Sequence, residues 1–279
     1  MRVSQASTIG TDLVGTMRAG VLAQKHLLIG QPGAPNNYDL NVGRAGEGGW
    51  RTPRHRHNFD QFRYVIKGNY PYMGDKVLPE GWVGYFPESV YYGPQDRPEG
   101  LETLVLQCGG ASGNGYVSVA DREVANDALK HKGEFKDGVY TYYDAAGQRH
   151  NQDASAACFE YATGRKLEFA QPRYSDVVVM NPSAYEWLAQ DTKGVYIKWL
   201  GTFTERNAGI GFVRVESNAT YDAGMLPAIT LLYQTNGRVA VKDREYGPGS
   251  AFEFLPNEGP IRIRAIEEAE FVCMTLHKF

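Results

Sequence analysis

Cysteine is scarce in this chain of 279 residues. Cys108, Cys158 and Cys273 stand far apart, their number is odd, and no C-x-x-C occurs. This argues against a disulfide framework or a cysteine zinc site and makes a reducing compartment the expectation. Long apolar runs are also lacking. None approaches the length needed to cross a bilayer, and the opening residues, Met1-Arg-Val-Ser-Gln-Ala-Ser-Thr, carry no apolar stretch of a signal peptide. The expected location is the cytoplasm, with no membrane partner. Nor does charge of one sign dominate: 29 Lys and Arg against 32 Asp and Glu leave a formal net charge of −3. The basic residues are scattered and no helix-turn-helix segment appears, so no nucleic-acid partner is expected.

Glycine, proline and tyrosine are abundant, at 32, 14 and 18 residues. Such a mix favours short strands joined by tight turns and argues against a helical bundle. The turns are written in a repeat. Gly68, Pro79 and Pro87 recur as Gly237, Pro248 and Pro256 with identical intervals, at a constant offset of 169 residues. Each copy starts with an apolar, aromatic strand (QFRYVIKG; AITLLYQTNG), turns at the glycine, and turns again at Pro-Glu-Gly or Pro-Gly. A third strand then ends in proline. Strands at this spacing predict a sandwich or barrel, twice over.

The text between the copies differs. GGASGNGY at 109–116 reads as a flexible connection. It lacks the Gly-Lys-Ser/Thr of a phosphate loop. Residues 120–132 predict a helix with Ser118 as N-cap and Gly133 at C′. A second short helix is predicted from Asp153 to a stop at Gly164. Both are expected to pack outside the barrels or to join them. Tyr140, Tyr142 and Tyr143 fall in an extended stretch with no assigned role.

The chemistry concentrates in RTPRHRHNFDQFRYVIKG. His55 and His57 are two apart, and in a strand residues i and i+2 share a face. Two imidazoles on one inner face can reach a single ion, and zinc, iron, nickel and manganese all accept imidazole nitrogen. Two readings stay open: hydrogen-bonded histidines in a barrel without metal, or a metal site completed by neighbouring strands. If Gln61 faces inward, Arg63 does too. It would then either orient a carboxylate or enolate through paired hydrogen bonds or form an internal ion pair. Alternation sends Asp60 to the other face.

The spacing Gly49, five residues, His55-Arg-His57, three residues, Gln61, six residues, Gly68 resembles the first motif of the cupin superfamily, with glutamine standing where the family has glutamate. Gly81, five residues, Pro87-Glu-Ser89, two residues, Tyr92, three residues, Asp96 is similar to its second motif, with Ser89, Tyr92 and Asp96 at the places of glycine, histidine and asparagine. The resemblance covers about residues 40–108 directly, and the repeat extends it to about 190–276. It implies an all-β fold of two tandem cupin (jelly-roll) barrels with a partly helical connector. The expected division is an N-terminal arm at 1–20, barrel one at 21–110, the connector at 111–170 and barrel two at 171–279. Carried over by position, the metal ligands would be His55, His57, Gln61 and Tyr92, with Tyr92 and Arg63 as catalytic residues. The ion would be a divalent transition metal (Fe, Mn, Ni or Zn). In the second copy the matching positions hold Gly224, Leu226, Thr230 and Ile261, none a metal ligand. The implied function is a metal-dependent enzyme acting on a small acidic, enolic or phenolic molecule, by dioxygenase-like or lyase chemistry. The alternative is a cupin that binds a small ligand without turnover. The resemblance further implies a homodimer.

Overall fold

The computed structural model describes residues 1–14 and 19–279. The chain divides into two compact units, residues 11–179 and residues 1–10 with 180–279. The 111–170 connector therefore belongs with the first barrel. Of the arm predicted at 1–20, residues 15–18 lie outside the described residues. The rest is split: Arg2–Gln5 pairs with Ser250–Phe254, and Asp12–Val14 pairs with Ala19–Ile29. The arm thus adds to sheets of its own chain.

Each unit is a jelly roll, and the two main sheets match strand for strand. In the sheet of the first unit, whose last strand runs one residue past 179, the order is Val178–Met180, Val83–Phe86, Phe59–Lys67, Glu102–Gly109, Tyr38–Thr52, Ala19–Ile29, Asp12–Val14. In the other unit it is Arg2–Gln5, Ser250–Phe254, Thr230–Asn236, Ala269–Thr275, Ala208–Val215, Val195–Phe203, Leu188–Ala189. The five inner strands follow the repeat. The two outer places are filled by strands from outside it, which covers edges that would otherwise offer unpaired N–H and C=O groups. At the Arg2–Gln5 edge a side-chain pair reinforces the ladder: Arg2 Nη2 donates to Glu253 Oε1 at 2.7 Å, and Glu253 is buried.

The glycine shared by the copies has two settings. Gly68 has φ +88° and room for a methyl group, the nearest atom to a Cβ being Leu101 Cδ1 at 3.5 Å. Gly237 has φ +75°, and a Cβ there would stand 2.0 Å from the Glu268 carbonyl oxygen. The second turn is pressed onto the neighbouring strand, where no side chain fits.

The connector is a small body of its own: helix α1 (Val119–Lys130), a three-stranded sheet of Gly133–Lys136, Val139–Tyr143 and Arg149–Asp153, then helix α2 (Ala154–Thr163). Ser118 caps α1 by accepting from the Asp121 N–H. Asp153 caps α2, which ends at Gly164 with φ 65°. α1 stops at a His131 C-cap, so Gly133 is not at C′. Gly133 opens the sheet, and a Cβ there would lie 2.3 Å from the Thr141 carbonyl oxygen. Tyr140 gains a structural role: buried, it packs with Ala125, Leu129, Ala157 and Cys158 and donates its hydroxyl to the Leu129 carbonyl at 3.1 Å. The 109–116 connection is pinned, since the Ser112 N–H and hydroxyl both donate to the Glu88 carboxylate.

Gly68→Ala is expected to cost about 1 kcal/mol from positive φ alone. Gly237→Ala adds a steric clash and should cost about 3 kcal/mol or more. Urea unfolding followed separately for the two units checks this, and equal shifts would contradict the contrast.

Candidate functional site

The inner face of the N-terminal barrel is built by three stretches of chain. Strand Phe59–Lys67 carries Gln61 and Arg63 on one side and Asp60 on the other, as period-two alternation requires. Asp60 is buried behind the strand, where it accepts from Tyr85 Oη at 2.8 Å and from the Glu88 N–H at 2.6 Å. Burial, then the Asp60 charge, pushes the Tyr85 phenol well up, so it stays a neutral donor. The second stretch, 53–58, was expected to be strand and is irregular. It touches the barrel by one bridge, in which His55 and Tyr92 exchange backbone hydrogen bonds of 2.9 and 3.0 Å. Strand Gln95–Arg97, paired with Trp50–Thr52, is the third.

The structure brings the predicted residues together. The His55 and His57 rings stand 4.9 Å apart between centroids, edge to face, and the Tyr92 ring is 4.4 Å from His55 and 5.9 Å from His57. Tyr92 is the inward tyrosine at 2% exposure, and Tyr91 faces out at 42%. His55 Nδ1 lies 2.7 Å from the Pro53 carbonyl oxygen. A carbonyl accepts only, so Nδ1 carries a proton.

Gln61 is held differently from a ligand. Its carbonyl oxygen accepts from Arg63 Nε at 3.1 Å, Arg63 Nη2 at 2.7 Å and Tyr92 Oη at 3.1 Å. Three donors exhaust its two lone pairs. Arg63 holds the Gln61 oxygen and bonds the Tyr70 hydroxyl. The four candidate ligands therefore do not fit a divalent cation as they stand. The two imidazole rings stand close, but the amide oxygen is spoken for, a guanidinium adjoins it, and the Tyr92 hydroxyl donates to it. Among the described residues no cluster of three or more His, Cys, Asp or Glu side chains could hold a metal.

Sequence reasoning missed the partner strand. Gln95 accepts at its Oε1 from Thr52 Oγ1 at 3.0 Å and Arg97 Nη2 at 3.1 Å, repeating the Gln61–Arg63 arrangement. The signal was present, since both strands read Gln-x-Arg. The connector was expected to stay outside the barrel or join the two, yet Arg122 of α1 and Ser155 of α2 reach the wall of the same cavity. Cysteine plays no part. All three thiols are free and buried, and burial raises their pKa, to about 11 for Cys158 and about 12 for Cys273.

In the second barrel, Leu226 and Ile261 pack against an apolar core around Phe252, Phe254 and Phe271, and Thr230 is buried.

No family model and no curated protein matches the sequence. Solved structures do. A "putative dioxygenase" from Nostoc punctiforme superposes with a TM-score of 0.64 at 14% identity, over 99% of this chain and 82% of that one. A mutant form of oxalate decarboxylase from Bacillus subtilis superposes at 0.56 and 15% identity, over 100% and 78%. Another structure of that enzyme, at pH 4.6, gives the same score and identity over 100% and 76%. Each unit has the cupin fold. At such identities the likeness establishes the fold and leaves the chemistry to the residues.

Ser89, at the place of the cupin glycine, keeps the backbone that glycine would supply, with φ 69°. Its N–H donates to the His57 carbonyl at 2.7 Å, while its buried hydroxyl has no partner among the described residues. Ser89→Gly removes both burdens and should stabilise the barrel by about 1 kcal/mol. A thermal melt with a lowered midpoint would refute this.

Proposed function

We propose that this chain is a small-molecule cupin enzyme. Its N-terminal barrel works on an acidic, enolic or phenolic molecule, and its C-terminal barrel is structural. One observation carries the reading: two imidazoles and a buried guanidinium line a single cavity in the first barrel, with the Tyr92 phenol packed against the His55 ring, while the matching positions of the second are apolar or small. Small-molecule sites commonly sit where barrels open, with apolar walls and few polar groups. Here Trp50, Leu22 and Val105 form such walls.

The residues suit proton transfer. His55, in the cavity wall, would accept a proton from a bound molecule, and its return is assigned to Tyr92, whose ring stands 4.4 Å from that of His55. Arg63 and the Gln61 amide it holds would orient the acid. Lyase or dioxygenase-like chemistry both begin by handling a proton on such a substrate. The likeness to an oxalate decarboxylase, which by its name acts on a small diacid, is in keeping with an arginine-lined cavity.

A second reading adds a divalent transition metal held by His55 and His57, where it would act as a Lewis acid. The Nδ1 contact of His55 favours it, because metal-binding imidazoles commonly donate the other nitrogen to a carbonyl. The engaged Gln61 oxygen and the lack of a carboxylate oppose it. A homodimer, with no nucleic-acid or membrane partner, completes the proposal. Among the described residues no helix is long and apolar enough to cross a membrane.

Metal analysis separates the readings. On the first, purified protein holds under about a tenth of an equivalent of transition metal and takes up none on reconstitution. On the second it holds about one equivalent, which His57→Ala removes. A screen of small acids for turnover tests the enzyme itself. His57→Ala and Tyr92→Phe should each lower the rate by about 100-fold or more, and unchanged turnover in both would overturn the assignment.

A further inference from the structure

The N-terminal cavity is electrically unbalanced. Its lining includes Arg63, Arg97 and Arg122 and, among the described residues, no carboxylate. Arg63 and Arg97 are 4% and 7% exposed. The groups around them are neutral: the Gln61 and Gln95 carbonyl oxygens, the Tyr70 hydroxyl, and the faces of Tyr70, Phe86 and Tyr92. Burial, and with it repulsion from Arg63, depresses the Arg97 pKa. Folded proteins pair their buried charges, and here no described protein group does so.

The same wall has donors to spare. The arginines fix both glutamine amides, because a flipped amide would set N–H against N–H. With their oxygens occupied, Gln61 Nε2 and Gln95 Nε2 have no hydrogen-bond partner among the described residues. Arg97 Nε and Arg122 Nε are likewise unpartnered there. Buried donors left in this way are rare. Ordered water could satisfy the N–H groups and would leave the charge unmet. A metal ion would satisfy neither, since it brings positive charge to a wall of donors. The cavity offers about 120 Å³, well beyond the ~10–15 Å³ that one water needs.

We propose that the two Gln-x-Arg strands form an anion site that binds a small carboxylate directly, without a metal ion. This rests on the reading of the N-terminal cavity as the working site, and adds the class of its ligand and the means by which it is held. A carboxylate is planar and offers two oxygens with lone pairs in that plane, the acceptor that amide and guanidinium donors on the two strands call for. Its charge offsets the buried guanidiniums, and a molecule of a few heavy atoms fits the space.

The test uses the full chain stripped of metal with EDTA. It is titrated calorimetrically with acetate, oxalate, malonate, succinate and inorganic phosphate. The expected result is saturable, roughly one-to-one binding of at least one carboxylate, weakened about tenfold or more in Arg97→Met. Gln61→Glu supplies an internal carboxylate to Arg63 and should weaken the same ligand as much, which keeps the test decisive if Arg97→Met does not fold. The inference is overturned if no carboxylate binds, if phosphate binds more tightly than all of them, or if both variants bind like the parent. Binding only after a divalent metal is restored would also overturn it while leaving the small-acid reading intact. Turnover untouched by His57→Ala and Tyr92→Phe would sink that reading and leave carboxylate binding standing.

Discussion

The first barrel turns on one oxygen atom. Gln61 Oε1 takes two hydrogen bonds from Arg63 and one from Tyr92, and so decides three things at once. It anchors a guanidinium inside a barrel where no described acid meets it. It fixes the phenol of Tyr92 beside the histidines. It also turns the amide nitrogen of Gln61 into a donor that only a ligand or water can satisfy. A glutamate at this position would have the same reach and the opposite consequence, since its charge would neutralise Arg63 and make the cavity hospitable to cations. The difference of one oxygen for one NH₂ sets the electrostatic sign of the site.

Much of the architecture was legible because turns have strict chemistry. The Gly and Pro intervals marked the duplication, and the sheets repeat it strand for strand. The caps at Ser118, Asp153 and Gly164 marked both helices, because these side chains and this φ answer unpaired backbone groups. Alternation correctly sent Gln61 and Arg63 inward and Asp60 to the opposite face. What could not be read were choices fixed by partners distant in sequence. Which of Tyr91 and Tyr92 turns inward depends on the backbone bridge to His55. Which atom of the Gln61 amide faces the guanidinium depends on Arg63 and Tyr92 together. The Gln95–Arg97 pair was visible as a pattern, but its meaning required knowing that two strands share one wall.

The connector shows how a fold of general use acquires a particular site. The helices and small sheet between 118 and 164 have their own core, built on Tyr140, Leu129 and Cys158. They still contribute Arg122 and Ser155 to the cavity of the first barrel. Arg122 is itself positioned by Tyr116, whose hydroxyl it meets at 2.6 Å and which in turn donates to Gln107 at 2.9 Å. The α1 end of the insertion is thereby tied to the barrel wall through polar contacts that leave the insertion's apolar core intact.

The strand Arg2–Gln5 has a consequence for how the chain comes to be folded. Its partner, Ser250–Phe254, lies far along the sequence: Arg2 and Glu253 are 251 positions apart. During synthesis everything the N-terminal barrel needs, residues 11–179, leaves the ribosome early and in one block, so that barrel can mature while translation continues. The segment at 2–5 must wait without this partner strand until residues 250–254 have emerged. Closing so long a loop is entropically slow. Until the two segments meet, the edge at 250–254 is open to any extended chain nearby.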